Sequence, residues 1–196
     1  MSKISKKAAA AVPSIDLLRS GVQMLDPDVS TEGMRVAVLA ARFNGPIVDR
    51  LIDGAIQTLV AAGVAADAIV LVRVPGAWEL PVVANALAAT IGFDAIVALG
   101  CVIRGETAHF DVISNEAARG LMQVALEHAI PVGNGVLACE NEQQAIDRAG
   151  GIHGNKGAEA AQAALETLGV VTAIDVAYDQ LVDDLGDIEI DEDLFR

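Results

Sequence analysis

The segment AIVALGCVIRGETAHFD, residues 95–111, decides the fold class of this 196-residue chain. Its first part, Ala95–Cys101, is a nearly continuous apolar run, which is typical of a strand that is buried on both faces of a parallel sheet. A glycine-containing loop then leads into a helix-like segment, Val112–Ala129. A buried strand followed by a loop and a helix is the repeating unit of an α/β fold.

The same alternation repeats outward from this segment in both directions. Other apolar or β-branched runs predict strands, and the segments between them predict helices. The further strands are Arg35–Ala41, Ala68–Val74 and Pro131–Ala138, and the further helices are Ile47–Ala62, Trp78–Ile91, Glu142–Ala149 and Lys156–Leu168. Strands and helices at this spacing are joined by right-handed crossovers, so we predict an α/β protein with a central parallel sheet.

Composition and charge exclude several classes of partner. The chain is 53% hydrophobic and 20% charged, which is typical of one globular domain. Its net charge of −14 argues against nucleic acid, because binding there requires Lys and Arg to displace counterions from phosphate. The same charge disfavours an anionic membrane surface, and no apolar run approaches the ~18 residues of a membrane span. We therefore expect a cytoplasmic protein.

The two cysteines are expected to be reduced and packed. Cys101 and Cys139 lie far apart in apolar stretches, with no CxxC motif and no cluster of histidines beside them. The sequence therefore predicts neither a disulfide nor a metal site. The motifs GxxxxGK[ST] and GxGxxG are absent as well, so a nucleotide cofactor has no support.

Both ends of the chain differ in composition from the middle. Residues 1–33 are polar and interrupted by Pro and Gly, although Ser14–Leu25 could form a short amphipathic helix. Residues 171–196 contain nine acidic side chains and one basic one, Arg196, which gives −8 of the net −14. Such a run is typical of a solvated tail. We predict an N-terminal extension (1–33), a central domain (34–170) and an acidic C-terminal tail (171–196).

In an open parallel sheet the functional site lies beyond the carboxyl ends of the strands. Phe43 leaves the first strand there, either as a hydrophobic cap on the sheet or as a stacking platform, and the cap is favoured when the residue is considered alone. After the second strand, Trp78 and Glu79 open a helix whose free N–H groups can bind polar atoms. Dipole compensation explains Glu79 equally well, and packing against a neighbour explains Trp78.

The loop after the third strand combines the most chemistry. Residues 100–111 bring together exposed glycine backbone, the basic Arg104, the hydroxyl of Thr107 and His109. This set suits an oxyanion or phosphate cradle with a proton shuttle, since histidine titrates near neutral pH. A lone histidine is more often structural, so the loop by itself does not establish catalysis.

Two cations later in the chain could also bind a phosphate. Arg148 lies near the end of one predicted helix, and Lys156 opens the next within Gly154-Asn155-Lys156-Gly157. Asn155 is a natural helix N-cap, which explains part of that motif structurally.

Four segments in this order resemble the 6,7-dimethyl-8-ribityllumazine synthase family, over roughly Met34–Leu168. They are ARFN (41–44), VPGAWELP (74–81), ALGCVIRGETAHFD (98–111) and RAGGIHGNKGAEAA (148–161). The resemblance implies a flavodoxin-like three-layer α/β/α sandwich with a central, mostly parallel four-stranded sheet. It also implies homo-oligomers built from pentamers, active sites between neighbouring subunits, and association with riboflavin synthase.

The implied reaction belongs to the penultimate step of riboflavin biosynthesis. It condenses 5-amino-6-(D-ribitylamino)uracil with 3,4-dihydroxy-2-butanone 4-phosphate to 6,7-dimethyl-8-ribityllumazine, releasing phosphate and water. Neither a metal nor an organic cofactor is implied. Catalysis would depend mainly on holding two reactive partners together, because orientation can supply several kcal/mol.

The resemblance also implies a role for each site residue. Phe43 would stack on the pyrimidine ring, and His109 would donate and accept protons. The residues that would hold the ring and the ribityl chain are Ala77, Trp78, Glu79, Cys101, Val102 and Ile103, of which the last three act through the backbone. The residues that would meet the phosphate are Glu106, Thr107 and, from the neighbouring subunit, Arg148, with Lys156 and Glu159 in support.

One residue departs from the family pattern. Asn134 stands where many members carry phenylalanine against the bound ring, so an apolar wall is lost and an amide that could bond ribityl hydroxyls is gained. The alternative to an enzyme is a flavin- or pterin-binding scaffold, which Asn134 favours and the phosphate-binding cations disfavour. A phosphoacceptor signalling domain does not fit, because Arg42-Phe43-Asn44 follows the first strand in place of an acidic cluster.

Overall fold

The computed structural model describes residues 30–90 and 92–186. The predicted helix Ser14–Leu25 and the acidic residues after Gly186 lie outside the described residues.

A four-stranded parallel sheet forms the centre of the structure. Its strands are β1 (Val36–Ala41), β2 (Ile69–Val74), β3 (Ala95–Ile103) and β4 (Val132–Cys139), in the spatial order β2-β1-β3-β4. All three neighbouring pairs are parallel. The predicted fold class is thus confirmed.

Helices cover both faces of the sheet and make three layers. One face carries α1 (Gly45–Ala61), α4 (Glu142–Arg148) and α5 (Lys156–Gly186), and the other carries α2 (Leu80–Ala88) and α3 (His109–His128). Successive strand residues point to opposite faces, so each central strand supplies side chains to two apolar clusters. In β1, Val38 packs on the side of α1 and α5, whereas Leu39 packs on the side of α2 and α3.

Several helices begin or end at residues other than the predicted ones. Helix α3 begins at His109, three residues before the predicted start, which places this histidine in the first helical turn. The predicted helix Trp78–Ile91 divides into a 3₁₀ turn, Ala77–Glu79, and the shorter α2. A small antiparallel pair, β5 (Ala149–Gly151) with β6 (Gly154–Asn155), was not predicted from the sequence.

The last helix is much longer than expected. The sequence predicts an end at Leu168, before Gly169, but α5 continues to Gly186, into the stretch that composition predicts to be a solvated tail. Gly169 is buried within the helix, and no proline follows it up to Gly186. By length and composition alone, Lys156–Val182 could also cross a membrane, although its first half packs on the sheet.

Helix α5 begins in close contact with α1. The Asn155 side chain accepts hydrogen bonds from the backbone N–H of Gly157 (2.9 Å) and of Ala158 (3.2 Å), which confirms the predicted cap. The same side chain donates to the carbonyl oxygen of Arg50 in α1 (2.8 Å). A Cβ at position 157 would collide with the carbonyl oxygen of Leu51, so only glycine fits this crossing.

We expect Gly157→Ala to lower the free energy of unfolding by about 2 kcal/mol, because an added methyl group would push two backbones apart. Denaturant-induced unfolding followed by circular dichroism measures this change. Gly45→Ala is the matched control, since a Cβ there would meet nothing within 4 Å, and its effect should stay within about 0.5 kcal/mol. Equal stability of the two variants would contradict the close crossing.

Candidate active site

A cavity of about 360 Å³ lies at the carboxyl ends of the central strands. It brings together eight of the residues predicted from the sequence: Phe43, Ala77, Trp78, Cys101, Val102, Ile103, Thr107 and His109. Four other residues, Gly76, Gly105, Phe110 and Ile113, complete its wall. Ile113 follows His109 by one helical turn, and this i, i+4 spacing is the signal that could have identified it.

Phe43 is held open to solvent at the rim of the cavity. Its backbone N–H donates to the carbonyl oxygen of Pro75 (3.1 Å), which ties the loop after β1 to the end of β2. The next residue, Asn44, has a left-handed backbone (φ 56°), and its side-chain amide donates to the carbonyl oxygen of Cys101 (2.9 Å). Phe43 is 71% exposed, so it is not a buried cap. An exposed ring at the rim of a cavity is available for stacking.

The turn after β2 uses its carboxylate for local structure. Oε2 of Glu79 accepts a hydrogen bond from the backbone N–H of Gly76 (2.8 Å), and this bond closes the turn that carries Ala77 and Trp78. Glu79 does not line the cavity, whereas Trp78 lines it and is half-exposed. Glu79 therefore also shapes the turn that carries two predicted site residues.

His109 opens α3 at the mouth of the cavity. Its backbone N–H donates to the hydroxyl oxygen of Thr107 (3.4 Å), and both side chains are exposed to the cavity. Free backbone N–H groups at a helix start favour negatively charged ligand atoms. Glu106 lies in the same loop but does not line the cavity.

Arg104 clamps the loop that precedes His109. Its guanidinium donates two hydrogen bonds to the Asp111 carboxylate (3.0 and 3.1 Å) and one to Glu140 (2.7 Å), and it stacks over the Phe110 ring at 4.1 Å. The sequence places this cation in a candidate phosphate cradle, but its partners in the structure are protein carboxylates.

The stabilisation that the Arg104–Asp111 ion pair gives to the native state is larger at neutral pH than at acidic pH. The hydrogen bond from Arg104 holds the pKa of the Asp111 carboxyl below its usual range. A carboxyl whose pKa is lowered by folding stabilises the native state above its ordinary pKa, and that contribution is lost as the pH falls through the lowered value. The clamp is therefore intact at neutral pH.

The predicted phosphate-binding cations lie in a different cavity. Asn134, Arg148, Lys156 and Glu159 line a hollow of about 470 Å³ between β4 and α5. Lys156 and Glu159 form an ion pair (2.6 Å), and Arg148 donates to the carbonyl oxygen of Gln144 (3.1 Å). Neither cavity is lined by residues of both sets, so one subunit does not bring His109 and Arg148 together.

Asn134 is partly engaged within its own strand. Its side-chain oxygen accepts a hydrogen bond from the backbone N–H of Val136 (3.0 Å). The bond satisfies a backbone N–H of β4, which is an edge strand of the sheet. The side chain nevertheless remains exposed toward the second cavity.

The two thiols are buried, and neither is bonded in a disulfide. Burial, together with the neighbouring Cys139, raises the pKa of Cys101 to about 12. Burial also raises the pKa of Cys139, against an opposite effect from Arg148. Because the thiolate is the reactive form, a Cys101 thiol with so high a pKa does not supply a nucleophile to the cavity. Among the described residues, no group of three His, Cys, Asp or Glu side chains is placed to hold a metal ion.

A parallel α/β sandwich whose cavity combines an exposed aromatic ring, a hydroxyl and a histidine at a helix start defines an enzyme that acts on small molecules. The sequence model of the 6,7-dimethyl-8-ribityllumazine synthase family matches residues 33–172. The chain belongs to this family, as the sequence resemblance predicted.

Named relatives support the same assignment. The 6,7-dimethyl-8-ribityllumazine synthase of Desulfovibrio desulfuricans is 49% identical over 152 residues, which cover 78% of this chain and 97% of the relative. The synthase of Yersinia pestis is 53% identical over 154 residues, which cover 78% of this chain and 99% of the relative.

We expect neither Cys101 nor Cys139 to react with Ellman's reagent in the native protein at pH 8, because burial keeps both thiols protonated. Absorbance of the released thiolate measures the reaction, and the protein in denaturant is the control, where both thiols should react. Rapid labelling of a thiol in the native protein would contradict this account of the cavity wall.

Proposed function

We propose that this chain condenses 5-amino-6-(D-ribitylamino)uracil with 3,4-dihydroxy-2-butanone 4-phosphate to 6,7-dimethyl-8-ribityllumazine, with release of phosphate and water. The observation that carries the proposal is one cavity lined by Phe43, Thr107 and His109 in a member of this family. The reaction is the penultimate step of riboflavin biosynthesis. The relatives named above carry the name of this synthase.

The uracil partner would bind at the rim that Phe43 forms. Its ring would stack on this exposed phenyl ring, a geometry that aromatic pairs favour. The end of β3 extends to Ile103 beside the cavity, so Cys101, Val102 and Ile103 would offer backbone groups to the ring edge. The turn of Ala77 and Trp78, shaped by Glu79, would hold the ribityl chain.

The phosphate of the second substrate would bind where α3 begins. The Thr107 hydroxyl and the backbone N–H groups near Glu106 and Thr107 would donate to its oxygens. Arg148 would complete the site from the neighbouring subunit, with Lys156 and Glu159 behind it. This arrangement accounts for cations that line a separate cavity in each chain.

His109 would move protons during imine formation, phosphate elimination and ring closure. Its side chain is exposed to the cavity, and histidine exchanges protons near neutral pH. Because both substrates react readily once aligned, orientation would supply most of the rate enhancement.

A ring of subunits would complete a divided site. Each chain carries one half at the strand ends and the other half at β4 and α5, and a head-to-tail contact between neighbours would bring the two halves together. We propose a homo-oligomer built from pentamers that works in the cytoplasm, with 34–170 as the synthase domain. Association with riboflavin synthase stays a prediction.

Purified protein given both substrates should form the fluorescent lumazine, and this assay tests the activity directly. Absence of turnover in assembled protein that still binds flavin or lumazine would contradict the proposed catalytic activity. It would support the scaffold hypothesis, for which Asn134 provides the structural reason because it removes an apolar wall.

His109→Ala should slow the reaction by about 100-fold without abolishing it, because acid–base catalysis contributes a factor of that order. Initial rates of lumazine formation measure the effect. His128→Ala is the matched control, since His128 lies at the opposite end of α3 and contacts Asn85, and its rate should be unchanged. Loss of all activity in assembled His109→Ala protein would contradict the orientation argument.

Co-assembly of His109→Ala and Arg148→Ala chains should restore activity above that of either variant alone. In a head-to-tail ring with random mixing, about a quarter of the sites receive an intact His109 and an intact Arg148 from different chains. The specific activity of the mixed assembly measures this recovery. A mixture no better than the mean of the two variants would contradict the shared site.

A further inference from the structure

The loop between β3 and α3, residues 104–108, has few contacts of its own. It contains Thr107 and leads directly into His109, and every residue of the loop is exposed, as is His109 itself. Within the part of the chain that the structure describes, the backbone of residues 105–108 forms hydrogen bonds only with the start of α3. The loop itself therefore does not fix where His109 lies relative to the sheet.

Arg104, the first residue of this loop, joins it to the sheet and to α3. Its backbone N–H donates to the carbonyl oxygen of Cys139 at the end of β4 (2.9 Å). Its side chain donates to Glu140, the next residue along the chain (2.7 Å), and to both carboxylate oxygens of Asp111 (3.0 and 3.1 Å). Asp111 belongs to the first turn of α3, so a single side chain links the end of β4 to the helix that begins with His109.

These contacts fix the orientation of the guanidinium as well as its distance from α3. Three of its nitrogen atoms donate to carboxylate oxygens, and its face stacks over the Phe110 ring, which lines the cavity. A guanidinium is a rigid planar fork, so a bidentate contact defines the direction of its partner. Phe110 and Asp111 directly follow His109, and holding them holds the backbone to which the imidazole is attached.

The opposite rim of the cavity is held by different contacts. The Phe43 backbone bonds to Pro75, and the Asn44 side chain bonds to the carbonyl oxygen of Cys101. None of the side-chain contacts of Arg104 involves these residues. The Arg104 clamp therefore acts on the side of the cavity that contains His109 and not on the side that contains the stacking ring.

We propose that Arg104 is a positioning residue for the reaction. By tying the first turn of α3 to the end of β4, it sets where the His109 imidazole and the Thr107 hydroxyl meet the substrates, which it does not itself touch. The inference rests on the proposed function. Exposed ion pairs add little stability, whereas a displacement of about 1 Å can cost a reaction about 100-fold, so position is what this clamp can supply.

A double-mutant cycle on the assembled enzyme tests whether Arg104 acts through His109. Arg104→Met keeps an apolar stem but removes the donors, and it should lower kcat about tenfold. In the His109→Ala protein the same change should alter kcat by less than about twofold, because the group that it positions is gone. Arg35→Met is the matched control, since Arg35 also stacks over a phenyl ring, that of Phe93, but lies before β1 at the opposite end of the sheet. Effects that multiply in the double variant would overturn the proposal.

The Michaelis constants and a lysine variant separate position from charge. Arg104→Met should raise KM for the phosphate-bearing substrate about fivefold, because Thr107 moves with the loop, and should leave KM for the uracil substrate within about twofold. Arg104→Lys should behave like Arg104→Met, since an ammonium group cannot make the bidentate contact. Equal rises in both KM values, or full recovery with lysine, would overturn the proposal.

Amide hydrogen exchange followed by mass spectrometry tests the clamp without any turnover. The N–H groups of Asp111 and Val112 bond to the carbonyl oxygen of Ala108, and in Arg104→Met they should exchange about tenfold faster than in the wild type. Arg35→Met should match the wild type. An inactive wild type with faster exchange in Arg104→Met would overturn the proposed function and not the clamp. Unchanged exchange in Arg104→Met, with an active wild type, would overturn the clamp alone.

Discussion

Burial of β1 and β3 on both faces is the constraint on which the rest of the structure depends. Every residue of β1 and the first seven of β3 are buried, so helices must cover the sheet on both sides. The chain must then cross over after each strand and return to the same end. The loops that carry Phe43 and His109 consequently emerge beside each other, and the Asn44 amide joins them by its bond to the Cys101 carbonyl oxygen.

The strand order separates the polar groups of one chain into two places. β3 lies inside the sheet and ends at the first cavity, whereas β4 lies at the edge and faces α5 at the second. The chain carries a net charge of −14, but Arg148 and Lys156 place two positively charged side chains at the second cavity. An exposed ion pair such as Lys156–Glu159 adds little to the free energy of unfolding. These cations therefore matter for where they lie, at the second cavity, and not for stability. The proposed ring of subunits would turn this separation into a complete site.

The sequence by itself determined the order of strands and helices along the chain and the residues that reach the strand ends, because burial on a sheet or helix leaves a local periodicity. It did not determine that Phe43 is open, that Glu79 closes a turn, or that Arg104 binds Asp111 and Glu140. Glu79 closes its turn with a backbone group three residues away, and the choice of that partner depends on the local backbone path. Phe43 and Arg104 depend on Pro75 and Glu140, which are distant in sequence and which only strand order and register bring into contact. For the same reason, the split between the His109 cavity and the Arg148 cavity belongs to the tertiary structure alone.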